Sequence, residues 1–224
     1  MFERSLMALL LTALLLAGQG AAAGELLNAL HSAAPQLEKR ALQDALQALQ
    51  CAEREGAGEA RRLAVIDYSR SSLERRLWVF DLTQRQLLLR EFVAHGRQSG
   101  ELFAERFSNL PGSHQSSLGL FRGGESYSGR HGHSLRLDGL EPGFNDQARA
   151  RALVIHGADY VAPRWAEKYG RMGRSLGCPA VQQEVIRVLV DQLRDGQYLF
   201  AWHPQLADDR YRACTSLSVA RSAE

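Results

Sequence analysis

Gly173-Arg-Ser-Leu-Gly-Cys-Pro-Ala180 gathers two glycines, a proline and a cysteine into eight residues. Such a composition marks a place where backbone shape matters more than side-chain bulk. Pro179 predicts a helix start, because a proline at the first helical position loses no hydrogen bond. Val185, Ile186, Leu189, Val190 and Leu193 then recur at helical spacing, and Gly196 suits the helix end. This reading places Cys178 at the N-terminus of a helix, where unpaired N–H groups and the helix dipole favour a thiolate. Upstream, Ala152-Leu-Val-Ile155 is a fully apolar run suited to a central buried strand, and it ends on His156-Gly157. Cys178 is therefore the candidate nucleophile and His156 the candidate general acid/base. Gly157 removes bulk beside the imidazole, and its carbonyl can set the ring tautomer. Gly177 permits a tight turn, and the N–H groups of Gly177 and Cys178 offer an oxyanion hole.

Working outward, residues 63–68, 77–82 and 86–94 are short β-rich runs separated by polar turns, which predicts a meander of antiparallel strands. Residues 197–202 give a last strand. Ten glycines with Pro111 and Pro142 make residues 95–150 loop-rich. Residues 24–60 carry Leu37, Ala41, Leu42, Ala45, Leu46 and Leu49 at helical spacing and end at the Gly56-Ala-Gly58 break. The expected organisation is a signal segment over 1–23, a helical extension over 24–60, a catalytic domain over 61–204 and a polar tail over 205–224.

The chain has 224 residues, 45% of them apolar, and a net charge of +2. That length buries a sizeable core without metals, and a pI near 8.5 is too mild to argue for a nucleic-acid partner. Arg4 precedes an apolar stretch over 5–17, and Ala21 and Ala23 follow as small residues. These are the parts of a secretory signal cleaved after Ala23. The stretch is shorter than the roughly 20 residues a membrane span needs, so no lasting membrane anchor is expected. The product is a soluble exported protein, with nothing in the sequence to fix its oligomeric state. In an oxidising compartment three cysteines leave one unpaired. If Cys178 is the free one, Cys51 and Cys214 have each other as partners. His131-Gly-His133 lacks a carboxylate or cysteine at a familiar metal-site spacing, so neither a metal nor another cofactor is expected. Tyr127, within the Gly-rich residues 123–129, is read as part of a substrate flap or a plain connecting loop. Asn145-Asp146 reads as a structural turn.

Ile155-His-Gly157 followed by Ser175-Leu-Gly-Cys178 resembles the His-Gly…Ser/Thr-X-Gly-Cys signature of the L,D-transpeptidase (YkuD-like) catalytic domain family. The branch with Gly-Arg-Ser-Leu-Gly-Cys-Pro-Ala is the more specific match. His95-Gly-Arg-Gln-Ser-Gly100, Phe107-Ser-Asn109, Ser116-Ser-Leu-Gly119 and Asn145-Asp146 fit the same branch, so the resemblance spans residues 62–203. Leu176 stands where the family usually carries His. The resemblance implies a mostly β (α+β) fold of the L,D-transpeptidase sandwich type. It also implies a cysteine acyl-transfer enzyme that attacks peptidoglycan stem peptides through a Cys178 thioester. An amine resolving that thioester gives cross-links, and water gives carboxypeptidase or endopeptidase products. By position the resemblance makes Cys178 the nucleophile and His156 the general acid/base, with Ser175 and Gly177 shaping the site. Arg174, a cation beside a thiolate and a carboxylate-bearing peptide, reads as a substrate contact or as a surface arginine, and Ser175 and Tyr127 are the other substrate-binding candidates. A non-catalytic peptidoglycan-binding module is the rival reading, and the intact His156, Gly157, Gly177 and Cys178 argue against it.

Overall fold

The computed structural model describes residues 22–206. Most of the expected signal segment, most of the tail and Cys214 lie outside the described residues. Residues 22–33 form helix α1. Then follow α2 (Lys39–Arg54), β1 (Arg62–Asp67), β2 (Leu77–Asp81), β3 (Gln86–Glu91), β4 (Gly119–Gly129) and β5 (Gly132–Gly139). The chain continues through β6 (Val154–Gly157), α3 (Pro163–Tyr169), β7 (Ala180–Val181), α4 (Ile186–Leu193) and β8 (Tyr198–Trp202). All eight strands share one hydrogen-bonded sheet in the order β3-β2-β1-β8-β4-β5-β6-β7. The protein is mostly β, as the resemblance implies.

The β1–β2–β3 meander forms as the short β-rich runs predict, with antiparallel pairing of its neighbouring strands. The last strand, β8, instead inserts between β1 and β4, parallel to β1. Every residue of β8 is buried, as expected for a strand covered on both faces. α2 buries Ala41, Leu42, Ala45, Leu46, Ala48, Leu49 and Ala52 against β1, β4 and β8. Asp44 lies on that buried side because it accepts a hydrogen bond from Trp202 Nε1 at 2.8 Å and pairs with Arg40 at 2.7 Å. α4 buries Ile186, Leu189, Val190 and Leu193, four of the five apolar positions its sequence period marks.

Two expectations are corrected. Residues 95–150 are not loop throughout, since they contain β4 and β5, the two longest strands. A register shift between Gly123 and Ser126 breaks the two-residue alternation that marks a strand in sequence. Gly123 is required there, because a Cβ would lie 2.0 Å from the Leu193 carbonyl oxygen. The second correction concerns the site: Cys178 does not stand at a helix N-terminus. Ala180 and Val181 are extended and pair in parallel with His156 and Gly157, and the following helix begins only at Ile186. The fixed φ of Pro179 suits the first residue of a strand as well as that of a helix. The neighbouring strands decide between them: Ala94 N–H donates to Ala180 O at 2.8 Å and Ala158 N–H to Val181 O at 2.9 Å.

Candidate active site

The residues around Cys178 form a hydrogen-bonded turn. Ser175 Oγ donates to the Cys178 carbonyl at 2.6 Å and accepts the Gly177 N–H at 3.0 Å. Gly177 has φ +123°, a region that favours glycine, and a Cβ there would lie 2.9 Å from the Gln115 carbonyl oxygen. The turn is tied to the 95–100 loop: Ser175 N–H donates to His95 O at 3.0 Å, and Arg97 N–H to Ser175 O at 2.8 Å. Ser116 Oγ accepts the Gly96 N–H at 3.0 Å and donates to Gly177 O at 3.2 Å. The expected oxyanion hole is therefore reduced by one donor, because Ser175 already holds the Gly177 N–H.

His156 sits on β6, the strand next to the turn, and is buried. Its Nδ1 lies 2.9 Å from its neighbour's carbonyl, Gly157 O. Nδ1 must carry the proton to make that bond, which leaves Nε2 as the basic nitrogen. Burial is the main cause that holds the His156 pKa below the ordinary imidazole value, with the nearby His131 adding to it. The His131 ring stacks on His156 at 4.6 Å between centroids. Burial also pushes the Cys178 thiol above its usual pKa, opposed by a hydrogen bond from the Val154 N–H and by the charge of Arg151. The resting pair is thus a neutral thiol and a neutral imidazole. The Cys178 sulfur donates its proton to Ala152 O at 3.9 Å.

Two residues of this environment carry no signal in the sequence. Arg151 donates from Nη1 to Ser108 O at 2.5 Å and to Ser117 Oγ, and from Nη2 to Ser113 Oγ at 3.2 Å and Gln115 O at 2.7 Å. It has no carboxylate partner among the described residues. All but two of the 27 Lys and Arg residues are arginine, so one more arginine draws no notice. Ala152 has φ +53°, a left-handed conformation that a side chain disfavours. Its N–H donates to Arg149 O at 3.0 Å and the Leu153 N–H to Ala148 O at 2.9 Å, the paired bonds of a turn that usually takes glycine. A glycine would have been the sequence signal; alanine hides it.

The remaining candidates are placed differently. The Arg174 guanidinium pairs with Glu101 at 2.6 Å and donates to the carbonyls of Gly100 and Arg97 at 2.9 and 3.1 Å, so it is committed to the loop. Tyr127 lies on β4 rather than on a loop, in register with Ser134 of β5, which in turn pairs with His156. Its ring packs under the Arg136 guanidinium at 4.6 Å. His133 pairs across the hairpin with Ser128, so the two histidines of His131-Gly-His133 occupy different positions. Asn145 is a turn residue, as read from sequence: its buried side chain donates to Leu118 O and Leu120 O at 3.1 and 2.9 Å. Cys51 is disulfide-bonded, and Cys178 is a free thiol.

In chemical terms the arrangement is a free cysteine held in a hydrogen-bonded turn next to a strand that carries a buried histidine. The sequence match gives the family: residues 33–202, about three quarters of the chain, match the L,D-transpeptidase catalytic domain, and the chain belongs to that family. The match takes in α2. No curated protein matches the chain. Among solved structures, an L,D-transpeptidase from Mycobacterium smegmatis is 13% identical with a TM-score of 0.39, covering 64% of this chain and 59% of its own. One from Xylanimonas cellulosilytica is 12% identical with a TM-score of 0.38, covering 72% of this chain and 80% of its own. The helical cell shape determining protein Pgp2 from Campylobacter jejuni is 11% identical with a TM-score of 0.44, covering 79% and 64%. This chain thus spans less than two thirds of the first of these structures.

Proposed function

We propose that the protein is a cysteine acyltransferase acting on peptidoglycan stem peptides, exported after cleavage near Ala23. The observation that carries this reading is a free, turn-held Cys178 two residues before Ala180, which pairs in register with the neutral His156 on the adjoining strand. In the proposed reaction the sulfur turns from Ala152 O toward His156 Nε2, which takes the thiol proton as sulfur attacks the carbonyl after the diamino acid of a donor stem. The Cys178 N–H, which the turn does not use, is the donor left for the oxyanion. His156 returns its proton to the departing amine, leaving a thioester on Cys178. An acceptor amine attacks that thioester, passes its proton to His156, and releases the cross-linked product. Water in place of the amine gives a shortened stem.

A pair that starts neutral needs His156 unprotonated. Turnover should therefore persist below pH 6.5 and fall only at the depressed His156 pKa. Incubating the purified protein with defined disaccharide-tetrapeptides tests the function by mass spectrometry. Dimers or exchanged terminal residues support acyl transfer, shortened stems alone support hydrolysis, and unchanged substrate contradicts both.

A further inference from the structure

We infer that Arg151 is an electrostatic positioning residue for Cys178, supplying beside the sulfur the positive field that a helix N-terminus does not provide here. The inference rests on the assignment of Cys178 as nucleophile. Four observations carry it. First, Arg151 Nη2 comes within 3.3 Å of where a Gly177 Cβ would stand, so the guanidinium lies against the residue that precedes Cys178. Second, its four hydrogen bonds go to two carbonyls and two serine hydroxyls. These neutral partners orient the cation without cancelling its charge, unlike Arg174, whose charge is answered by Glu101. Third, the guanidinium fixes residues 108–117 around the turn: the Gln115 carbonyl it holds is the one packed on Gly177. Fourth, the next residue, Ala152, is held at φ +53° and presents its carbonyl to the Cys178 sulfur. Strain of this kind persists where surrounding structure over-determines it and is concentrated at functional sites.

A half-buried cation that has no carboxylate partner and touches the catalytic turn is unusual, because burying an unpaired charge costs free energy. A negative charge forming on the sulfur during attack would be its counter-charge, so the arrangement favours the transition state over the resting thiol. Tyr160 packs on the start of the same segment: a Cβ at Gly173 would lie 2.4 Å from the tyrosine Cβ. Burial raises its phenol pKa, so it adds no charge near the thiol at neutral pH. Tyr68, beneath the site, is neutral for the same reason. Among the described residues, Arg151 is the cation whose charge bears on the Cys178 thiol, and His156 is neutral.

The test uses Cys178 itself as reporter, through the pH dependence of its alkylation by iodoacetamide with the Cys51 disulfide left intact. The full mature chain is compared as wild type, Arg151→Gln and Arg151→Lys, with thermal melting run in parallel. Arg151→Gln should raise the midpoint of alkylation by about one pH unit, a tenfold loss of thiolate at fixed pH. Arg151→Lys should keep the midpoint within about a third of a unit while melting lower, because lysine keeps the charge and loses the fork. Equal midpoints in all three proteins, with only the melting temperatures differing, would reduce Arg151 to a structural brace. Because alkylation needs no stem peptide, that result is distinct from failure of the proposed substrate class, which shows as absent turnover in the wild type.

Discussion

Between α2 and strands β1 and β8, the buried side chains are mainly alanine, leucine, valine, isoleucine and aromatic residues, with two bonded acids, Asp44 on α2 and Asp67 at the end of β1. Between the β6–β7 edge and the loops of residues 95–117, they include His95, Ser99, Ser116, Ser117, Ser134, His156 and Ser175. The first region is held by removal of apolar surface from water, a force with little direction. The second is held by donor–acceptor pairs that hold in one geometry only, such as Ser116 N–H on Ser99 Oγ at 2.8 Å and Ser117 Oγ on Ser108 O at 2.9 Å. Precision is therefore located in the second region. The scaffold can tolerate small repacking, whereas the site depends on an ordered polar network beneath a neutral thiol and imidazole.

The largest expected effect falls on chemistry with the fold intact. Cys178→Ala should lower turnover on tetrapeptide stems by on the order of 10⁴-fold or more, and His156→Ala by at least ~10²-fold. Both proteins should melt near the wild-type temperature, and a loss of only two- or threefold in the histidine variant would make His156 structural. The reverse pattern is expected under α2. Leu42 is fully buried, so Leu42→Ala should cost about 2–5 kcal/mol of stability in urea unfolding. Turnover per folded molecule should stay within about twofold, and a matching loss of activity would show that the two regions are coupled.

The polar network should reveal itself through pH. His95 is buried, accepts a hydrogen bond from Arg76 Nη2 at its Nδ1 (2.7 Å), and holds Gly100 O at 3.3 Å through Nε2. Burial, reinforced by the charge of the fully buried Arg76, lowers its pKa from 6.5 to about 3. A base depressed in the folded state gives stability that is present above pH 6.5 and lost as pH falls toward 3. The loss amounts to about 3 kcal/mol at pH 4. His95→Gln, less stable at pH 7, should lack this slope between pH 6.5 and 4, while an unchanged slope would assign it to other groups. The smallest effect is expected at Ala152. Ala152→Gly relieves a left-handed alanine and should stabilise the protein by up to about 1 kcal/mol in the same unfolding experiment. Destabilisation would show that the alanine methyl packs usefully.

The same contrast explains what the sequence made legible. Apolar periodicity identified α2 through Leu42, Ala45 and Leu49 and α4 through Ile186, Leu189 and Leu193, because burial leaves a repeating mark in the chain, and short β-rich runs between polar turns marked the three-strand meander. His156 and Cys178 stood out because strand-His-Gly and Ser-Leu-Gly-Cys-Pro are unusual local strings. β4 was hidden by Gly123, Gly124 and the register shift after them, which serve a close approach rather than an alternating face. The helix expected at Pro179 failed because proline suits two conformations, and pairing of Ala180 with Ala94 and His156 chose the extended one. Arg151 was illegible for a further reason. Its partners Ser108, Ser113, Gln115 and Ser117 are serines and backbone carbonyls, which have no pattern until the chain is folded.

In the proposed reaction Cys178 attacks a stem peptide and carries it as a thioester after His156 removes the thiol proton. The direct measurement is acid-quenched intact-protein mass spectrometry during turnover of a defined disaccharide-tetrapeptide, with the modified residue located by peptide mapping. The expected result is a mass gain equal to the donor stem without its terminal residue, confined to the Cys178 peptide and released by hydroxylamine. It should be absent from Cys178→Ala and slow to form in His156→Ala. An adduct on any other residue, or turnover that persists in Cys178→Ala, would contradict it.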